Sequence, residues 1–370
     1  MLINRAFRLE KSIMAVTDLQ TLGWGEFFES NFSSYAQDGY ECGRVALEHK
    51  NFFRVYTQHG EVLAQISGKL RHEAVNRSDL PAVGDWVVIR SAMIHAVLPR
   101  RTSFVRKIAG PRTEEQMVGA NIDTVFLLTS LNHDFNVRRI ERYLIIAWES
   151  GANPIIVLSK SDLCDQVADG IAEVQAVAHG VPIHAISVVT GCGLQDVAQY
   201  FKRGQTVALL GSSGVGKSTL INHLAGVNLL KVQTVREHDD RGKHTTTHRE
   251  LVLLPSGGLV LDTPGMRELQ LWDGDQSLSL VFDDIQTLAG QCLFNDCRHQ
   301  DEPQCAVREA LVTGTLDTDR YEGYEKLQKE LKYQTRRKDK LSEIVEKKKW
   351  KKLSRLANER ARLKRRYRQP

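Results

Sequence analysis

No apolar run in this 370-residue chain approaches the roughly 18 residues that a membrane-crossing helix needs, so no span and no membrane partner are expected. The first 14 residues carry Arg5, Arg8, Glu10 and Lys11 and hold no apolar core, so no secretory leader is expected, and Met14 is a second candidate start. Cysteine is scarce. There are six, and three of them crowd into residues 292–305, which argues against a disulfide framework and suits a reducing cytoplasm. Glycine is missing altogether beyond Gly323, in a stretch rich in Lys, Arg, Glu and Leu, and this favours helix there.

The length leaves room for two or three domains, and a hydrophobic content of 42% allows each its own core. The net charge of +5 hides an uneven distribution. Residues 1–110 carry 14 Lys+Arg against 11 Asp+Glu, residues 111–330 carry 19 against 30, and residues 331–370 carry 17 against 4. A basic block of that kind marks an interacting arm, with nucleic acid the first candidate. Leu341, Val345, Leu353, Leu356 and Leu363 supply only a thin apolar stripe along it. A solvated helical arm and a membrane-surface helix are the alternatives, the latter disfavoured because it would want a broader apolar face.

Residues 40–107 read as short strands between turn signals: Arg44–Leu47, Phe52–Tyr56, Glu61–Ile66 and Asp85–Ile89. Such spacing predicts a small β-barrel of the OB type. With 11 Lys+Arg against 6 Asp+Glu it is a candidate nucleic-acid binder, although a barrel that only packs on its neighbour would read alike. From Ile122 strands and helices alternate. Ile122–Thr129, Pro154–Leu158, Pro182–Ile186, Gln205–Leu210, Glu250–Leu254 and Gly258–Leu261 are strands, and Val137–Glu149, Asp165–His179, Leu194–Phe201 and Ser218–Ala225 are helices. The alternation predicts a mostly parallel sheet covered by helices.

One stretch organises this second region. Gly211-Ser212-Ser213-Gly214-Val215-Gly216-Lys217-Ser218 lies where a strand turns into a helix, the setting of a G-x-x-x-x-G-K-[ST] phosphate loop. Its glycines free the backbone to converge N–H groups on a polyphosphate at the positive end of the helix. Lys217 would reach the outer phosphates and Ser218 would hold Mg²⁺, with Thr219 beside them. Asp262-Thr-Pro-Gly265 follows a buried strand and fits the D-x-x-G element, in which Asp262 holds Mg²⁺ through water and Gly265 senses the γ-phosphate. Between them, Arg241-Gly-Lys-His-Thr-Thr-Thr-His248 has the place and length of a switch loop, and of its threonines Thr246 is favoured as a Mg²⁺ ligand; an ordinary polar loop is the alternative.

Base recognition is found upstream, in Leu158-Ser159-Lys160-Ser161-Asp162 and Ile186-Ser187-Val-Val-Thr-Gly191. The Asp162 carboxylate can accept from both guanine N1–H and the exocyclic amine, which adenine cannot offer. Lys160 would lie along the base and Ser187 would close over it. With base motifs first and phosphate motifs second, the region reads as a circularly permuted GTPase.

Beyond it lies Cys292-x₄-Cys297-x-His299-x₅-Cys305. Three thiolates and one imidazole complete a tetrahedral shell with no open position, so one structural Zn²⁺ per chain is expected. Cys42, Cys164 and Cys192 have no such partners and read as packing residues.

This order of motifs, a barrel, a permuted GTPase with R-G-K-H-T-T-T and D-T-P-G, and C-x₄-C-x-H-x₅-C, resembles the ribosome small subunit-dependent GTPase A family, RsgA, over about residues 35–330. The resemblance implies a GTP hydrolase acting late in small-subunit maturation, stimulated by the subunit, with barrel and zinc module both on ribosomal RNA. An RNA-binding assembly scaffold, with nucleotide as a structural or switch ligand, is the competing reading. The chain departs from the family pattern at Ser159, where N-K-x-D has Asn. Met266 follows D-T-P-G where many GTPases place a water-orienting glutamine, and methionine cannot hold a water. His244 resembles the histidine proposed for that role in the family, the alternative being a histidine that meets only RNA or solvent.

The division expected is an N-terminal extension (1–35), an OB-type barrel (36–110), a permuted GTPase domain (111–280), a zinc module (281–323) and a basic helical tail (324–370). The expected partners are the small subunit and its RNA, with GTP/GDP and Mg²⁺ at the nucleotide site, for a cytoplasmic monomer.

Overall fold

The computed structural model describes residues 18–49, 52–107, 115–227, 249–262, 275–333 and 335–336. Five strands, β1 (Glu41–Glu48), β2 (Phe53–Thr57), β3 (Gly60–Ile66), β4 (Trp86–Arg90) and β5 (Met93–Val97), run in the order β1-β2-β3-β5-β4, and β4 pairs back onto β1. The sheet is therefore closed, with β3 and β5 as its parallel pair, the topology of an OB barrel. Closure removes the free edges that a five-stranded ribbon would expose. Val45, Val55, Ala64, Val87, Ile89 and Ile94 fill the interior. At Gly43 a Cβ would come within 2.6 Å of Val55 Cγ1, so only glycine lets the wall close there.

Strand β5 went unread in the sequence. Its hairpin turn is Ser91-Ala92, both with positive φ (51° and 58°), where the usual signal for such a turn is Asn-Gly. The N-terminal extension is likewise more than a tail. A helix over Glu26–Gln37 buries Phe28 and Phe32, and Trp24 meets the barrel's Trp86 edge-on with centroids 4.6 Å apart.

A hairpin of β6 (Ser103–Lys107) and β7 (Glu115–Ala120) leads from the barrel into the second domain. There β8 (Thr124–Ser130), β9 (Asn153–Ser159), β10 (Ile183–Ala185), β11 (Thr206–Gly211), β12 (Glu250–Leu253) and β13 (Leu259–Asp262) form one sheet in the order β10-β9-β8-β11-β13-β12. All neighbours are parallel except β12 with β13. The chain enters at β8 in mid-sheet, steps outward to β10, returns to β11 on the other side of β8, passes to β12 and turns back as β13 into the place between β11 and β12. Strand direction of travel reverses between β8 and β11, and their carboxyl ends diverge there to leave a crevice. Sheet and barrel meet at the Leu47–Glu250 pairing of β1 with β12.

Arg44 holds the junction of these pieces. It is 1% exposed, and its guanidinium donates to Leu22 O in the N-terminal extension, to Gly84 O in the barrel at 3.3 Å and to Asn121 O at the entry to β8 at 2.8 Å. Burial, with no carboxylate in contact, pulls its pKa down to about 10. Gly23 beside it has φ +87°, and a Cβ there would lie 2.7 Å from Gly204 O.

The C-terminal region packs on the helix Val137–Ser150. Helices over Asp275–Val281, Asp283–Ala289, Ala306–Thr313 and 318–333, with Phe282 between the first two, contribute Phe282, Ile285, Val307, Tyr324, Leu327 and Leu331 to the core. Arg320 bonds Asp284 at 2.7 and 2.8 Å and Glu141 at 2.7 Å, and Arg142 makes a two-pronged pair with Glu330 at 2.8 Å. The expected boundary at 323/324 thus lies inside a helix whose buried face belongs to this contact; the tail from 337 onward is outside the described residues. Among the described residues no helix is long and apolar enough to cross a membrane.

Arg44→Met removes the guanidinium donor to Leu22 O and Asn121 O and one of the two donors to Gly84 O, which keeps Asn121 Nδ2, and urea denaturation is expected to show a loss of about 3 kcal/mol, with Arg44→Lys recovering part of it.

Candidate nucleotide site and metal cluster

The phosphate loop sits at the β8/β11 crevice. Gly214 and Gly216 take φ of +77° and +97°, and Gly216 caps the helix Lys217–Ala225, so the first-turn amides of Lys217, Ser218 and Thr219 face the loop. A Cβ at Gly211 would lie 2.6 Å from Leu128 O, so the loop can hug β8 only with glycine there. The Lys217 ammonium donates to Gly211 O (2.7 Å) and Ser212 O (2.6 Å), folded over the cradle where phosphate oxygens would otherwise take its protons. Asp262 ends β13 near enough to feel Lys217. Burial pushes its carboxyl up, with the Lys217 charge acting the other way, and a divalent cation would favour its ionised form.

Two further residues that carried no motif belong to the loop. Asp134 and Arg139 follow β8, and Ser212 donates to Asp134 at 2.6 Å while Arg139 donates to Ser212 Oγ at 3.0 Å and to Asp134 at 2.9 Å. Burial opposes ionisation of Asp134, but the Ser212 hydroxyl and the Arg139 guanidinium outweigh it and hold the carboxyl below its ordinary value. The only signal available in the sequence was the capping residue Asn136, which accepts from Arg139 N at 3.0 Å and starts the helix at that point.

The two base loops lie side by side. Ser161 N donates to Ile186 O at 3.1 Å, and the second loop closes on itself through Ser187 N to Cys192 O (3.0 Å) and Thr190 N to Ser187 Oγ (3.1 Å). Lys160 adopts φ +58°, an uncommon angle for a side-chain-bearing residue that turns the chain sharply out of β9. Asp162 is exposed in the 3₁₀ turn Ser161–Leu163. Ser159 is buried, and its hydroxyl, 2.6 Å from Val215 O, donates across to the phosphate loop. The serine that stands in place of Asn therefore ties the end of β9 to the phosphate loop. Cys192 corrects an expectation: it is exposed, so it is not a packing residue, whereas Cys42 and Cys164 are partly buried. His244, Thr246, Gly265 and Met266 lie outside the described residues.

Cys292, Cys297, His299 and Cys305 come together with all ligand atoms within 4.8 Å of one another. Cys292 Sγ lies 3.9 Å from Cys305 Sγ, and His299 Nδ1 lies 3.6 and 3.4 Å from the same two sulfurs. A tetrahedron with metal–sulfur bonds of 2.3 Å has edges of about 3.8 Å, so the donors already stand at coordination spacing. The loop carrying His299 turns at φ +60° and is stitched by Glu302, which accepts from Arg298 N, Gln300 N and Asp301 N at 2.8 to 3.1 Å. Those amides hold its carboxyl at about 2. Burial opposes ionisation of Cys292, but the amides of Val307 and Ala306 at the adjoining helix start, with the neighbouring thiols, lower its pKa.

A family model described as "RsgA GTPase" matches residues 97–272. A protein of Opitutus terrae named "Small ribosomal subunit biogenesis GTPase RsgA" is 47% identical over 350 residues, which cover 90% of this chain and 95% of the relative. The chain belongs to the RsgA GTPase family. A second member, "Small ribosomal subunit biogenesis GTPase RsgA 2" of Lactiplantibacillus plantarum, is 49% identical over 80% of the chain and 85% of its own length. Among solved structures, YjeQ from Thermotoga maritima superposes with a TM-score of 0.58 at 29% identity, covering 78% of this chain and 97% of its own. YloQ, described as a circularly permuted GTPase, shares the fold at a TM-score of 0.54 and 24% identity, over 79% and 95% of the two chains. An ABC-transporter model also matches residues 194–354, a segment that contains the phosphate loop and excludes both base motifs of this RsgA-family chain.

Ser159→Ala removes one buried hydrogen bond between the two halves of the site, and GTP affinity measured by isothermal titration is expected to fall about tenfold. Ser159→Asn is expected to retain it.

Proposed function

We propose that this GTPase acts late in maturation of the small ribosomal subunit, that the subunit stimulates its turnover, and that the barrel, the metal module and the basic tail contact ribosomal RNA. The observation that supports this most is that relatives named for small-subunit biogenesis match 90% and 80% of this chain and 95% and 85% of their own lengths. The protein works in this reading as a monomer in the cytoplasm.

In the site, Asp162 reads guanine, with Lys160 along the base, Ser161 and Ser187 beside it, and Ser159 fixing the base loop to the phosphate loop. The amides from Gly211 to Thr219 and the Lys217 ammonium hold the phosphates, preorganised for charge that shifts onto the leaving oxygen. Mg²⁺ bound with GTP would be held by Ser218, Thr246 and, through water, Asp262, and would neutralise that charge. Gly265 contacts the γ-phosphate. Because Met266 cannot orient water, His244 takes that role from the switch loop. Zn²⁺ at Cys292, Cys297, His299 and Cys305 is structural, since four protein donors leave no position open.

GTP turnover measured with and without purified small subunits tests the reading. Stimulation is expected, and its absence, with GTP still bound, would favour a scaffold whose nucleotide is only a structural ligand. Lys217→Ala is expected to abolish turnover, whereas His244→Ala keeps GTP affinity and lowers the stimulated kcat by about 100-fold or more, the pattern of a group acting only in the transition state. Metal analysis of purified protein is expected to find one zinc per chain. Cys297→Ser should lose it and weaken subunit binding while leaving GTP affinity within about twofold, because among the described residues no hydrogen bond of the four donors reaches a nucleotide-loop residue.

A further inference from the structure

A cavity of about 370 Å³ lies between the end of the barrel and the β6–β7 hairpin, and no residue of the GTP site lines it. Its floor is apolar, made by Phe53, Ile66, Pro81 and Met117, while Arg71 and Arg77 stand at its rim. Both arginines are exposed, and among the described residues neither makes a side-chain hydrogen bond or ion pair. More positive charge stands behind the wall. Arg249 donates to Met117 O at 2.9 Å, and Arg106 donates to the lining Gln116 at 3.0 Å. The one carboxylate among the lining residues is Glu48, 3.8 Å from Arg249. Burial lowers the pKa of Arg249, and the charges of Arg106 and Arg77 lower it further against the pull of Glu48.

We propose that this cavity is a second nucleotide-binding site, taking one unstacked nucleotide with its base on the Phe53–Met117 floor and its phosphate between Arg71 and Arg77. The size falls in the range of small-ligand pockets. An apolar floor with an aromatic ring takes the face of any base, and polar groups at Gln116 and Glu48 meet its edge. Two guanidiniums at the rim match a phosphate, whose oxygens accept in pairs. A bare anion would have no use for the apolar floor, and an apolar ligand none for the rim. Both a residue of single-stranded RNA and a free mononucleotide present this chemistry. The inference gives a location to part of the RNA binding proposed above and rests on that reading for the RNA source.

The test uses the full chain and a fluorescein-labelled single-stranded oligoribonucleotide carrying 4-thiouridine, read by anisotropy and by mapping of ultraviolet crosslinks. The double variant Arg71→Gln/Arg77→Gln is expected to weaken binding about tenfold or more, since each arginine supplies charge-assisted contacts to phosphate. Crosslinks in the wild type are expected on segments 53–54, 80–82 or 116–117. A control double variant, Lys69→Gln/Arg90→Gln, removes the same charge from outside the cavity and is expected to stay within about twofold. Free mononucleotide that binds as tightly as the oligoribonucleotide assigns the site to a small ligand; weaker binding assigns it to RNA. Equal losses in the two double variants, crosslinks confined to other segments, or no binding of either probe would overturn the proposal. Subunit-stimulated GTP turnover of the wild type, measured alongside, separates the cases: its absence undoes the maturation reading, and its presence with an unaffected cavity variant undoes this inference alone.

Discussion

The arrangement of the whole molecule depends on one buried cation. Arg44 has no carboxylate in contact and is held by carbonyl oxygens from three segments far apart in sequence: Leu22, Gly84 and Asn121. A guanidinium out of water is costly unless its donors are all met, so the three segments must approach together or not at all. This fixes the N-terminal turn against the barrel and the barrel against the entry of β8. The same corner places Gly23 against Gly204, just before β11, so the strand that carries the phosphate loop is braced from its far end.

The permuted chain order has a mechanical effect. In the sheet β10-β9-β8-β11-β13-β12 the base loops leave β9 and β10, and the phosphate loop leaves β11. These segments are separated in sequence and meet because β9 and β11 flank the same strand, β8; the Ser159–Val215 bond then locks one to the other. The helix after β8 links two regions. Its first residues brace the phosphate loop through Arg139, and further along it Glu141 and Arg142 meet Arg320 and Glu330 of the C-terminal helices. The phosphate loop and the C-terminal helix 318–333 are thus fastened to the same amino-terminal half of one helix.

Much of this was legible in residues. The phosphate loop, Asp262, the two base motifs and the four metal donors are short, locally spaced patterns that depend on chemistry within a few residues, and four of the five barrel strands stand out as short runs between turn signals. The unread parts depend on distant neighbours. Strand β5 follows a turn of Ser91-Ala92, whose positive φ is imposed by closure of the barrel and not by local preference. Asp134 and Arg139 look like ordinary loop and helix residues until β8 and β11 are adjacent. Cys192 was expected to pack, but the loop from 187 to 193 turns its side chain outward.

By itself, then, the sequence determined the chemistry available: a phosphate-loop motif, a carboxylate at Asp162 just after a strand, a four-donor Cys/His set and an excess of positive charge. It also determined that the base motifs precede the phosphate motifs, because chain order is written directly. Only the tertiary structure decided what those groups face. Whether Ser159 merely replaces Asn or ties two loops, whether helix 318–333 belongs to a tail or to a core, and whether Arg71 and Arg77 are scattered surface charges or the rim of a cavity are matters of proximity across the fold. The physical reason is that hydrogen bonding, burial and charge compensation act over a few ångströms of space, and the fold brings within that range residues that the chain holds as far as 196 positions apart.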